Sequence, residues 1–359
     1  MKGTIQNIFI GLTLITLTTP SLLTLFDVKL VENCEKRELN TFPTFSVPEE
    51  FIDDFESYFD DNFGLRNSLI SLGSSIKVNL FKSSVHPQNV KFGKSGWLFY
   101  NKIDGGIFSS YTHRNLFSHE ELDSLAEVWE NRKINLESKG IKYIMAVWPN
   151  KSTIYPEYVP LTMRAQIIDT ISKTDQILNF LHSAKSSIPF ISVRNKLMEE
   201  KKKNKLYRKL DTHWNQIGAF YAYHYFMKET IDILGVVPYN LDDFTVTYHD
   251  ESKGDLLSML GICETLSFSE TNPSLQITDN NLTITKSEGK YKNSLIFKNE
   301  KCDNRFKVLI FRDSFTDALI PFFKNHFYET HFVWFDYQNQ IVDSIKPDIV
   351  ITSFVERNI

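Results

Sequence analysis

Asp211 and His213 stand two residues apart in "LYRKLDTHWNQIGAF" (Leu206 to Phe220), and Ser314 follows an apolar run in "VLIFRDSF". An aspartate that accepts the imidazole Nδ1–H fixes the tautomer and stabilises the imidazolium, which leaves Nε2 free to take a serine proton. A serine activated in this way attacks an acyl carbon, provided that N–H donors hold the oxyanion. Residues i and i+2 diverge on a helix, but on an extended or irregular segment they can face one site. Asn215 suits the N-cap of a helix starting at Gln216, so residues 211–214 should approach that helix in a non-helical conformation. Plainer roles stay open for each of these residues. Asp313 or Ser314 could cap the helix that follows, and Asp211 and His213 could be a turn cap and a hydrogen-bonded core histidine. A metal site on the D-x-H pair with His224 is the weaker alternative, since no further His or Cys follows at ligand spacing; no metal or cofactor is expected.

The elements that must position these residues alternate along the chain. "SHEELDSLAEVWENRKINLESKG" opens with a capping box, Ser118 and Glu121, carries Leu122, Leu125, Trp129 and Leu136 on one face, and stops at Gly140. The continuous apolar run "IKYIMAVW" follows directly, as expected of a strand buried on both faces. Helix then strand recurs: a helix over 163–184 before "IPFISV", and a helix over 216–234. Three more apolar runs, "FKVLIF", "HFVWF" and "PDIVIT", come later, with a helical "FTDALIPFFKNHF" between the first two. The pattern predicts an α/β fold, a parallel sheet flanked by helices. Residues 27–117 read as an N-terminal lead-in and 236–300 as a small β-rich insertion, both belonging to one domain over 27–359. In such sheets ligands bind beyond the carboxyl ends of the strands. Asn150, Lys151 and Tyr155 follow one strand, Arg312, Asp313 and Ser314 another, and Glu356 and Arg357 the last.

Composition sets the address. The formal net charge is −4, and the one run of Lys, "EEKKKNK", suits a solvated helix end, so nucleic acid is not expected as a partner. Residues 5–26 carry no charge and are long enough to span a bilayer. No small-x-small cleavage site closes that segment, so residues 1–26 are expected to be an uncleaved signal anchor, with a cleaved signal peptide as the alternative. The remainder then faces the periplasm or exterior. There, the three cysteines allow one disulfide, for which Cys263 with Cys302 is preferred to pairs using Cys34; three buried free thiols are the other possibility.

"FESYFDDNFGLRNSLI", "KFGKSGWLFYN", "WPNKSTIYPE", "LYRKLDTHWNQIGAFYAY", "FRDSFTDALIPFFKNHF" and "KPDIVITSFVERN" together resemble, in order and spacing, the bacterial alginate O-acetyltransferase AlgJ/AlgX family over about residues 33–359. The resemblance implies an SGNH-hydrolase-like fold with Asp211 as orienter, His213 as general base and Ser314 as nucleophile. It implies transfer of acetyl groups to hydroxyls of an exopolysaccharide in the periplasm, beside a membrane-bound O-acyltransferase as acetyl source. Backbone N–H groups near Ser314 and Phe315 and the side chain of Asn150 would hold the oxyanion, with Lys151, Tyr155, Arg312 and Arg357 as substrate contacts. The chain stops at "ERNI", so the single-domain AlgJ type, without the carbohydrate-binding module of the AlgX type, is expected. Arg312 stands where SGNH hydrolases carry the glycine of their G-D-S motif. An acetylesterase, with water as acceptor, and a non-catalytic scaffold of an acetylation complex are the alternatives.

Overall fold

The computed structural model describes residues 2–26, 28, 30, 38–45, 48–81, 84, 86–102, 106–262, 268–278 and 283–359. Among them, β1 (Val90–Phe92) and β2 (Leu98–Tyr100) form a small antiparallel pair. Next come β3 (Lys142–Trp148) and β4 (Phe190–Ser192), then the antiparallel pair β5 (Phe244–Glu251) and β6 (Glu270–Ile277). The chain continues through β7 (Ile284–Glu288), β8 (Leu295–Asn299), β9 (Lys307–Phe311), β10 (Glu329–Val333) and β11 (Ile349–Val355). Seven of these strands make the central sheet, in the order β4-β3-β11-β9-β10-β8-β7. The first five are parallel, whereas β8 and β7 extend the edge antiparallel. The polar stretch 236–300 is therefore divided: β5 and β6 stand apart as a ribbon, and the β7–β8 hairpin joins the main sheet.

The apolar runs become central strands because both sheet faces are covered. Along β3, Ile144, Ala146 and Trp148 enter one core, with Val308, Ile310, Ile349, Ile351 and the helix Gln216–Glu229. Tyr143, Met145 and Val147 enter the other, with Leu309, Phe311, Val350 and the helices His119–Ser138 and Lys173–Ser183. Alternate side chains thus serve opposite cores.

Helix ends follow their capping chemistry. Ser118 and Glu121 form the expected capping box, and Gly140 takes φ +73° after the helix ends. The helix expected over 163–184 is interrupted: Leu161–Arg164 makes one turn, and a new helix begins only at Lys173. Ser172 caps it reciprocally with Asp175, and Asp169 Oδ1 accepts from the Ile171 N–H, so local side-chain bonds compete successfully with the helix. The helix over 216–234 likewise breaks at Thr230, whose hydroxyl bonds the Phe226 carbonyl. "FTDALIPFFKNHF" forms a 3₁₀ segment, Ser314–Leu319, and then a single α-turn, Ile320–Phe323.

The N-terminal helix Lys2–Leu25 holds a stretch, Gly3–Leu25, long and apolar enough to cross a bilayer. Thr13, Thr16, Thr18 and Thr19 each bond the carbonyl four residues back, which satisfies their hydroxyls without water. The preferred Cys263–Cys302 disulfide is not formed. Cys302 is a free thiol that donates to the His326 carbonyl at 3.0 Å; Cys263 and Cys34 lie outside the described residues.

Candidate active site

Three adjacent parallel strands deliver their following residues side by side: Asn150 after β3, Glu356 and Arg357 after β11, and Arg312 to Ser314 after β9. A loop reaches them from across the molecule. Tyr207 bridges Trp214, Arg208 N–H donates to the His213 carbonyl and Asn215 N–H to that of Leu206, closing residues 207–214 into a narrow hairpin-like loop. Asn215 then caps the next helix by accepting from Gly218 N–H at 2.9 Å. Gly218 is required there, since a Cβ would collide with the Leu206 carbonyl.

On the returning arm of this loop His213 Nδ1 lies 2.7 Å from Asp211 Oδ1, and its Nε2 lies 2.8 Å from Ser314 Oγ. Asp211 is buried and also accepts from the main chain of His213 and Asp255 and from Arg208. Burial pushes its carboxyl upward, but the bonds and charges of His213 and Arg208 outweigh this and hold it well below the usual carboxylate range. It is therefore an anion facing the imidazole.

Asp313 is the cap of the 3₁₀ segment: its Oδ1 accepts from Phe315 N–H at 2.9 Å and its Oδ2 from Val355 N–H at 2.6 Å. That leaves the Ser314 hydroxyl for His213. Two tryptophans fix the turn from below. Trp214 Nε1 donates to the Phe315 carbonyl at 3.0 Å, and Trp148 Nε1 to Thr316 Oγ1 at 3.3 Å. The Phe315 ring packs on the imidazole with centroids 4.9 Å apart.

The remaining residues singled out in the sequence divide. Asn150 is buried; its Oδ1 accepts from Arg357 Nη1 at 2.9 Å, which orients Nδ2 as a donor beside the Glu356 carboxylate. Arg357 lies over the Phe315 ring at 5.2 Å, next to the Ser314 turn. The Phe315 N–H, expected to face an oxyanion, is instead taken by Asp313. Lys151 is buried and its ammonium donates to the carbonyls of Arg208, Lys209 and Asp211, clamping the 207–214 loop. Its burial lowers the pKa to about 8, against the pull of Asp255, Asp211 and Glu270. The Tyr155 hydroxyl accepts from Leu206 N–H at 2.9 Å, at the base of the same loop. Arg312 pairs with Asp317 at 2.5 Å and lies over the Trp334 ring at 4.8 Å. Lys151 and Tyr155 thus act on the loop rather than on the open side of Ser314.

Sequence reasoning passed over Asp255. It accepts from Thr212 N–H at 2.7 Å and from the Thr212 hydroxyl, and its Oδ2 is 3.6 Å from His213 Nδ1. Burial, then the Asp211 charge, raise its pKa. Only the helix start in "GDLLSML" marks it in the sequence, and nothing local connects it to His213. Asp211, His213 and Asp255 bring ligand atoms within 4.8 Å of one another, a group that could hold a cation; here His213 Nδ1 is hydrogen-bonded to Asp211 and Asp255 to Thr212. Beside Ser314 and His213 opens a cleft of about 280 Å³, lined by Arg208, Gln216, His249, Glu251, Asn272 and Asp317 among others. Its lining mixes these donors and acceptors with the apolar surfaces of Trp214, Pro273 and Ala318.

Residues 90–301, more than half of the chain, match the family described as "SGNH hydrolase-like domain, acetyltransferase AlgX". The chain is 25% identical over 166 residues to a Pseudomonas aeruginosa protein named "Probable alginate O-acetylase AlgJ", a match covering 46% of this chain and 38% of that protein. A protein of the same name from Pseudomonas syringae pv. tomato is 24% identical over 168 residues, again covering 46% of this chain and 38% of the relative. The chain therefore spans well under half the length of these relatives. In three dimensions it is similar to PatB1 of Bacillus cereus, with a TM-score of 0.57 and 15% identity over 75% of this chain and 97% of that one, a likeness of fold.

Proposed function

The chain belongs to the SGNH hydrolase-like AlgJ/AlgX acetyltransferase family, and from that premise we propose that it is a periplasmic O-acetyltransferase acting on hydroxyls of an exopolysaccharide through an acetyl-Ser314 intermediate. The observation that carries this is His213, bonded on one side to an ionised Asp211 and on the other to Ser314 Oγ at 2.8 Å.

In the first half-reaction Ser314 Oγ attacks the acetyl carbonyl carbon while its proton passes to His213 Nε2. Asp211 holds Nδ1–H and stabilises the imidazolium. The tetrahedral oxyanion is held by the Ser314 N–H and by Asn150 Nδ2, a donor already oriented by Arg357. Collapse breaks the bond to the donor's leaving oxygen, which collects the proton from His213. In the second half-reaction a sugar hydroxyl in the cleft gives its proton to His213 Nε2 and attacks the acetyl-serine carbonyl. The new sugar ester leaves as Ser314 Oγ recovers the proton.

The polysaccharide is one partner; the other is a membrane-bound O-acyltransferase that supplies acetyl. The N-terminal helix is the inner-membrane anchor that keeps the domain beside it. The test is mass spectrometry of the protein incubated with an activated acetyl ester and candidate oligosaccharides. Acetylated sugar from the unaltered protein and none from Ser314→Ala is expected. Free acetate alone, lost in the variant, would point to an acetylesterase. Equal transfer by both would overturn the role of Ser314, and no turnover by either would favour a scaffold.

A further inference from the structure

Residues 38–81 precede the catalytic domain and expose more large apolar side chains than a soluble surface tolerates in one place. In the helix Pro48–Asn62, Phe51, Ile52, Phe55, Tyr58 and Phe59 share one face, and Glu50, Asp53, Asp54, Glu56 and Asp60 take the other. Phe42 packs its ring against Phe55 and Tyr58, yet Phe42 is 61% exposed. The next helix, Arg66–Phe81, turns Leu69, Leu72, Ile76 and Leu80 outward at helical spacing, each 47–72% exposed. Arg66 and Lys77 are its only charges. Its opposite side faces the domain, with Val78 in a core that includes Leu98, Leu210, Leu256 and Leu257.

The turn between these helices touches the N-terminal helix. Gly64 N–H donates to Thr24 Oγ1 at 2.9 Å, and Gly64 sits so close to Leu23 and Pro20 that a Cβ would collide with them. Pro20 is buried there. About 20 helical residues cross the hydrocarbon, so Pro20 to Thr24, at the far end of Gly3–Leu25, lie at its outer boundary. A turn seated on them lies at that depth too.

We propose that residues 38–81 are an interfacial helical hairpin whose exposed apolar face is immersed in phospholipid. This rests on the N-terminal helix being retained as a span. The face is continuous with that span, and the acidic side of the first helix is directed at water, the division expected of a helix lying in the boundary plane. The inner side of the second helix carries the core beneath Leu210 and Leu256, so the Asp211–His213 loop sits one helical layer from the lipid.

The test uses the full chain in nanodiscs of phosphatidylethanolamine and phosphatidylglycerol with no other transmembrane protein. A photo-crosslinking benzoyl-phenylalanine replaces Phe59, Leu72 or Leu80, and, as controls, Leu14 in the span and Val128 on the helix His119–Ser138. Lipid adducts are expected at Leu14, Phe59, Leu72 and Leu80 and not at Val128, which is exposed and apolar but remote from the hairpin. Adducts at Leu14 without any at the three hairpin positions would overturn the proposal and turn attention to a protein partner for this face. Absence at Leu14 as well would overturn the span on which it rests, a result distinct from failure of Ser314 chemistry. Leu72→Glu together with Ile76→Glu should abolish the Leu80 adduct while the circular dichroism of the domain is unchanged; persistence of that adduct would also count against lipid immersion.

Discussion

Two histidines stand at opposite ends of the same sheet, and their settings differ in the ways that matter for chemistry. His213, beyond the carboxyl ends of the strands, has an anionic aspartate on one nitrogen, a serine on the other and a cleft in front. His326, before β10, is buried, packed against the rings of Tyr223 and Tyr239, and its Nε2 is hydrogen-bonded to the Tyr223 hydroxyl at 2.5 Å. Burial drives its pKa down to about 4. A hydrogen-bonded imidazole is therefore insufficient for base chemistry; it also needs a carboxylate to stabilise the charged form.

The sharpest way to break this comparison is to remove each ring in turn. His213→Ala should cut acetyl transfer by roughly 10⁴-fold or more, whereas His326→Phe should leave the rate within about twofold in protein that folds. Comparable losses from both, measured as initial rates of sugar acetylation, would erase the distinction. Asp211→Asn tests the carboxylate itself. It should keep the fold yet lower turnover by about 10⁴-fold through loss of the correct tautomer and of imidazolium stabilisation.

Acid stability should separate the two sites by the opposite route. His326 binds its proton less readily when folded than when unfolded, so its contribution is complete above about pH 6.5. That contribution is lost as pH falls towards about 4, on the order of 3 kcal/mol over the window. Asp211, whose folded pKa is depressed, adds stability above the ordinary carboxylate range that disappears only at lower pH. Urea unfolding in detergent at pH 7 and pH 4.5 should therefore show a drop that His326→Phe largely removes; an unchanged drop would locate the acid sensitivity elsewhere. The smallest effect expected is that of Asp255→Asn. Weakening the grip on Thr212 should displace His213 slightly and slow transfer by about tenfold. A loss as large as that of Asp211→Asn would make Asp255 an equal partner of the imidazole.

The five parallel strands were legible because burial on both faces leaves long apolar runs. Short strands within 236–300 were legible too, but not that the β7–β8 hairpin would extend the main sheet, since β8 meets β10 only through pairing between segments distant in the chain. The breaks near residues 165–172 and 230 were hidden because Ser, Thr and Asp decide between helix and local bonds by a small margin. At the site, Asp211, His213 and Ser314 were recognisable by residue type and by their likeness to a family. The Asp313 cap that takes the Phe315 N–H is a local pattern, and capping was among the roles open to Asp313 in the sequence; the Lys151 clamp and the approach of Asp255 depend on contacts between distant segments, which no local pattern encodes.

The strand β11 lies between β3 and β9, although it follows both in the chain. Until Ile349–Val355 has emerged and inserted, the half of the sheet followed by Asn150 and the half followed by Ser314 have no backbone ladder joining them. The order of synthesis thus acts as a timer. A polypeptide cut short before Ile349 would lack the strand that joins these halves, and the residues after β3 and β9 would be held side by side only once Ile349–Val355 had inserted.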